Sequence, residues 1–295
     1  MNRRDRPDPP ASEAFHDTAG AGRGAITIRH LSRAGDHASC VELQRETWGD
    51  AEDVLVPAAV LQVSQKIGGL VAGAFDDDGR MLGCVYSLAG HREGVQAHWS
   101  HMLAVTPDAR GAGLGQKLKL YQRQEVMADG IDTIFWTYDP LVSRNAHLNL
   151  NRLGAEVVQF VPNMYGETGS PLHAGGQTDR FVVRWRLRSR RATSAIDSTH
   201  TMPDPVVTSA PVVGQLEDLP EPIPDADLLR LEVPVDLERL MAAGSPEPLA
   251  WRAASRRTLE ACIEAGYRVR GFYRDREADR SFYWLARGPA DDREA

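Results

Sequence analysis

The chain has 295 residues, 42% of them hydrophobic and 25% charged, enough for a full core and, at about 150 residues per domain, for one or two domains. Its formal net charge of -7 lacks the basic excess that nucleic-acid or anionic-membrane binding usually shows, so neither partner is expected. Cys40, Cys84 and Cys262 are too few and too far apart for a disulfide framework or a metal spacing, and no apolar run nears the roughly 18 residues of a membrane span, so a reducing cytoplasm without a metal site is the expected setting.

Residues 1–24 carry basic residues but no apolar segment behind them, and read as a disordered tail rather than a secretory signal. Ala25 to Leu31 is a strand, and Asp36 to Trp48 and Pro57 to Ile67 are helices. "GLVAGAFD" and "RMLGCVYSL" are strands joined by the hairpin turn "DDDG". "QAHWSHMLAV" is the next strand, followed by a glycine-rich loop and a helix, Ala112 to Ala128, with Leu114, Leu118 and Tyr121 on one face. "DTIFWTYD" is a buried strand, Ser143 to Leu153 is a helix stopped by Gly154, and "AEVVQFV" and "DRFVVRWRL" are strands. Residues 189–225, rich in Pro, Ser, Thr and Asp, read as a linker, partly extended. Residues 226–288 offer the strand "LLRLEVP", a helix from Pro246 to Ala265, and the strands "YRVRGFYR" and "RSFYWLAR". The halves echo one another: "LGAEVVQF" before "DRFVVRW" is matched by "AGYRVRGF" before "DRSFYW". Two independent helix-to-hairpin units, or a degenerate copy of the first half, would both give this pattern.

The glycine loop "RGAGLGQK" invites three phosphate-binding readings. A P-loop needs GxxxxGK followed by Ser or Thr, yet Gln116 precedes Lys117 and Leu118 follows it. A dinucleotide fingerprint needs a third glycine where Gln116 or Leu118 stands. The pattern Arg/Gln-x-x-Gly-x-Gly/Ala is met by Arg110, Gly113 and Gly115. Glycines let backbone approach a pyrophosphate, and N–H groups at a helix N-terminus are natural anion ligands.

With "LAV" and Thr-Pro upstream and this element order, residues 25–188 resemble the GNAT superfamily of Gcn5-related N-acyltransferases. The resemblance implies an α/β (α+β) fold, a mixed central sheet with helices on both faces, followed by a smaller C-terminal α/β extension. It implies acetyl-CoA or another acyl-CoA as co-substrate, its pyrophosphate on Arg110, Gly111, Ala112, Gly113, Leu114 and Gly115. The pantetheine arm would run along the backbone of Leu103 and Val105, and Asn145 or Asn149 would replace a cofactor-binding Asn whose place Ser143 holds. The longer layout, with "WTYDPL", "SRNAHLNLNRLGA", "PNMYG" and "TDRF", is similar to a bacterial group of GNAT acetyltransferases, which brings succinyl and other larger acyl groups into range.

Acyl transfer to an amine needs a base, stabilisation of the oxyanion and a proton for the leaving thiolate. Strict alternation puts Trp99, His101, Leu103 and Val105 on one face of the motif strand and His98, Ser100 and Met102 on the other. His101 is the candidate base, a satisfied sheet histidine being the alternative. The general acid that the resemblance implies is a helix Tyr, but Leu150 holds its place; Tyr165 and Tyr138 are the fallbacks. Cys84, alone in an apolar strand, reads as core rather than as a covalent nucleophile. Trp136 and Asp139, at the C-terminal end of a strand, are acceptor-binding candidates. The expected acceptor is a small amine or an amino acid, a homodimer is left open, and a non-catalytic acyl-CoA-binding or regulatory protein is the rival reading.

Overall fold

Apolar runs separated by Gly- and Asp-rich turns become strands in the computed structural model, which describes residues 25–50, 55–92, 94–166, 178–197, 202–214 and 223–288. The expected tail, residues 1–24, lies outside them. The chain divides into two compact units, one up to Asp132 and one from Thr133 onward.

The first unit holds β1 (Thr27–His30), α1 (Asp36–Trp48), α2 (Ala58–Lys66), β2 (Leu70–Phe75), β3 (Met81–Arg92), β4 (Val95–Val105) and α3 (Leu114–Ala128). Its strands pair antiparallel in the order β1-β2-β3-β4. Alternate residues of β2 serve different cores. Leu70, Ala72 and Ala74 pack with Leu114, Leu118 and Tyr121 of α3, whereas Val71 and Phe75 join Cys40 and Leu43 of α1 and Leu61 of α2. Helices therefore cover both faces, which is why every residue of β2 is buried. Each fully buried leucine, such as Leu61 or Leu118, contributes roughly 1.5–3 kcal/mol by leaving water.

The entry to α1 is fixed by Asp36. Its buried carboxylate accepts from the Ser32 and Arg33 amides at 3.0 and 2.9 Å and from Arg29 at 2.6 Å. Burial alone would raise its pKa, but the guanidinium and the two amides hold it below the ordinary 3.8.

The second unit begins with β5 (Thr133–Tyr138), α4 (Ser143–Ala146) continuing into a π-helical segment (His147–Arg152), β6 (Glu156–Val161) and β7 (Arg180–Arg186). It goes on through α5 (Arg190–Asp197), α6 (Pro205–Thr208), β8 (Val212–Val213), β9 (Leu228–Val233), α7 (Leu237–Ala242), α8 (Glu247–Glu264), β10 (Tyr267–Asp275) and β11 (Arg280–Arg287). β7 lies between β5 and β6, antiparallel to both. β11 likewise lies between β9 and β10, and β8 runs parallel to β9. The linker reading of residues 189–225 needs correction, since α5, α6 and β8 fall within it. Pro205 stands at the start of α6, where its missing N–H loses no bond, and Asp204 caps the helix by accepting from the Val206 amide at 2.8 Å. A proline-rich stretch can thus carry short helices.

Candidate active site

The motif strand does not alternate as expected. Met102 of β4 pairs with Tyr86 of β3, but the next partner of Ser87 is Ser100, so His101 is the extra residue of a β-bulge. The bulge shifts everything before it by one position. Ser100 bonds to Lys119 and Gln122 of α3, on the side of the sheet where Leu103 and Val105 also pack. His101 instead meets the ring of Tyr86, which belongs with Met102 and Ala104 to the α1 and α2 side. The expected grouping of His101 with Leu103 and Val105 is therefore corrected: a single inserted residue reverses the face.

His101 is exposed at its edge and packs edge-on against Tyr86, with ring centroids 5.8 Å apart. Desolvation by the surrounding protein pushes its pKa below the ordinary 6.5, so the imidazole is neutral at pH 7 and can accept a proton. Behind it lies a buried polar cluster that the sequence did not announce. The Lys119 ammonium donates to Ser100 Oγ at 3.0 Å and to Gln122 Oε1 at 2.8 Å, and Ser87 Oγ lies 2.9 Å from His98 Nδ1. Burial lowers the pKa of Lys119 from 10.5 to about 7. The available signal was Gln122, a polar residue in the helical row of Leu114 and Leu118.

Beyond Val105 the chain makes a short 3₁₀ turn, Pro107–Ala109, and reaches the glycine loop. Gly111 and Gly113 have φ of 84° and 75°, values open to glycine at little cost, and a Cβ on either would meet no atom within 4 Å. Gly115 is different. It lies inside the first turn of α3 with ordinary φ, and a Cβ there would touch Leu103 only at 3.8 Å, an ordinary contact. Packing within the protein does not require glycine at that position, although helix interiors disfavour it by about 1 kcal/mol relative to Ala. The first turn of α3 carries no acidic residue, and Arg110 is exposed beside it. Open space, a helix N-terminus and a guanidinium together fit an anionic group.

In the second unit the expected residues separate sharply. Trp136 is buried, and its indole N–H donates to Asn149 Oδ1 at 3.2 Å, so both side chains are engaged in the core. Tyr138 is buried beneath Tyr283, whose hydroxyl lies 3.3 Å from its own, and burial pushes its phenol pKa up, out of the range useful to a general acid. Asp139 accepts from Arg252 at 2.8 Å and from the Leu141 amide at 2.9 Å, and Arg180 stands 3.9 Å away. Trp136, Tyr138, Asp139 and Asn149 thus all have partners within the protein. The sequence missed Arg252 and Tyr283, which lie more than a hundred residues beyond β5. Asn145 is half-buried. Tyr165 is 45% exposed, with its hydroxyl 2.9 Å from Thr137 Oγ1 and the Arg180 guanidinium 5.4 Å from its ring. Cys84 is buried against Cys40, which together with desolvation pushes its thiol pKa well up, so it offers no thiolate. Among the described residues no group of three or more His, Cys, Asp or Glu comes together, and no helix is long and apolar enough to cross a membrane.

No protein-family model matches the sequence, and no curated protein matches it. Solved structures similar to the chain include the ribosomal-protein-S18-alanine N-acetyltransferase from Escherichia coli, at 17% identity over 55% of this chain and 94% of that one, with a TM-score of 0.44. A chain of the NatC complex bound to Gag peptide and CoA is similar at 19% identity over 55% and 98%, with a TM-score of 0.44. An aminoglycoside 6'-N-acetyltransferase complexed with coenzyme A is similar at 16% identity over 55% and 98%, with a TM-score of 0.40. The first and the third of these are N-acetyltransferases.

Proposed function

We propose that this chain is an acyl-CoA-dependent N-acyltransferase that moves an acetyl group, or a larger one such as succinyl, to a small amine or an amino acid. The observation that carries the reading is the loop from Arg110 to Gly115, which presents glycines that the protein itself does not fill at the N-terminus of α3. The pyrophosphate of coenzyme A suits that cradle, and the backbone of Leu103 and Val105 would take the pantetheine arm.

Transfer is direct. The acceptor nitrogen attacks the thioester carbonyl carbon, the C–N bond forms, and the C–S bond breaks. His101, neutral because partial desolvation by the surrounding protein lowers its pKa, takes the proton that the nitrogen sheds. The departing thiolate takes a proton from water. A binding-only protein is the second reading, favoured by Leu150 at the place where the resemblance expects a tyrosine and by the burial of Tyr138.

Release of free thiol from acetyl-CoA and succinyl-CoA, followed across a panel of amines and amino acids, separates the two. At least one acceptor is expected to raise release well above hydrolysis. If none does while CoA still stabilises the protein, binding without transfer is the correct reading.

A further inference from the structure

The two halves of the second unit have the same build. β5, the α4 segment, β6 and β7 follow one another with β7 between its neighbours; β9, the α7–α8 segment, β10 and β11 do the same with β11 between. In each half a left-handed glycine, Gly154 or Gly266, ends the helical segment. Three residues after each glycine the hairpin carries a register shift, between Val157 and Gln159 in one half and between Val269 and Gly271 in the other. Aligned on those shifts, Phe160 corresponds to Phe272, and their strand partners Phe181 and Tyr283 correspond to one another. A shared strand order could arise twice by chance, but a shared bulge at the same offset from a shared glycine argues for one duplicated unit.

The halves also meet through equivalent parts. β6 runs against β10, its own counterpart. Phe181 and Tyr283, both fully buried, pack ring to ring at 5.3 Å and 88°. Contact of an element with its own equivalent is the signature of an isologous, twofold interface.

We infer that the C-terminal repeat is a built-in partner for the first repeat, covering in cis the β6–β7 face on which a second chain would otherwise sit. This partner also reaches the turns around β5. The Tyr283 hydroxyl donates to the Pro140 carbonyl at 2.8 Å, and Arg252 pairs with Asp139. Arg256 pairs with Asp179, whose Oδ1 accepts from the Asn163 amide at 2.9 Å and so braces the turn that carries Tyr165. None of this depends on the acyl-transfer reading.

Hydrogen–deuterium exchange on the full-length chain tests it. Amides of β6 and β10 are expected to be protected equally in dilute and in concentrated solution, because the covering partner is tethered. Tyr283→Ala is expected to raise exchange in β6 and β10 together, leaving β1 to β4 as in the parent. Protection of β6 that grows with protein concentration would overturn the proposal, as would deprotection of β10 with β6 unchanged. Should Tyr283→Ala fail to fold, Tyr283→Leu keeps an apolar plug and reads the same two strands.

Discussion

The loop after β4 and the turn after β5 both follow buried strands, and both carry residues suited to a ligand. Their fates differ. After β4 the loop stays open: Gly111 and Gly113 face empty space, and Arg110 is exposed, its Nε donating to the nearby Val105 carbonyl at 3.3 Å. After β5 the second repeat brings Arg252 to Asp139 and Tyr283 to Tyr138 and Pro140. A charged or aromatic residue at a strand end is thus functional or structural according to what packs over it, and only the tertiary structure supplies that.

The largest effect that sharpens this contrast belongs to the second region. Asp139→Ala strips the partner from a buried guanidinium and is expected to cost about 3–5 kcal/mol in denaturant unfolding. A change under about 1 kcal/mol, the size typical of an exposed pair, would return Asp139 to the list of free acceptor ligands.

His101→Ala should behave in the opposite way, with little loss of stability and a fall in kcat of at least about a hundredfold. The pH profile carries the sign. A histidine acting as base works when neutral, and the pKa of His101 lies below 6.5, so under the proposed mechanism activity is expected to fall only as pH drops through that lowered value. A parent profile that falls above pH 6.5 instead, or an unchanged rate in the variant, removes the histidine from the mechanism.

Lys119 gives an effect on stability alone. Its pKa is about 7 folded against 10.5 unfolded, so between those values the unfolded chain binds more protons and stability rises with pH. Unfolding of the parent should become harder from pH 7 to pH 10, by on the order of a few kcal/mol, and Lys119→Met should abolish that slope. A flat parent curve would mean that the ammonium is better solvated than its burial indicates.

Gly115→Ala is the smallest change and the most pointed. Without ligand it should stabilise the chain by roughly 0.5–1 kcal/mol, because helices favour Ala over Gly. It should also weaken CoA binding by about tenfold, near 1.4 kcal/mol, by crowding the cradle. Loss of stability would show instead that the glycine serves the fold.

Much of this was legible in the sequence, for reasons that can be named. The helix Asp36–Trp48 and the strands of the first unit follow from apolar periodicity between turn residues, and the glycine loop from its exclusion of two commoner motifs. The bulge at His101 was not legible, since inserting one residue leaves local composition unchanged while reversing the face of every residue before it. The roles of Trp136, Tyr138 and Asp139 were hidden for another reason: their partners Asn149, Tyr283 and Arg252 are 13, 145 and 113 residues away. Lys119 defeats the pattern because buried amines are rare enough that a lysine on a helix is read as solvated.

Under the proposed function the Arg110–Gly115 loop holds the pyrophosphate of an acyl-CoA. Calorimetric titration of the full-length chain with CoA, pantetheine and NAD tests it most directly. CoA is expected to bind far more tightly than pantetheine, which lacks the pyrophosphate, and NAD to bind weakly or not at all. Equal affinity for CoA and pantetheine, or a preference for NAD, would contradict it.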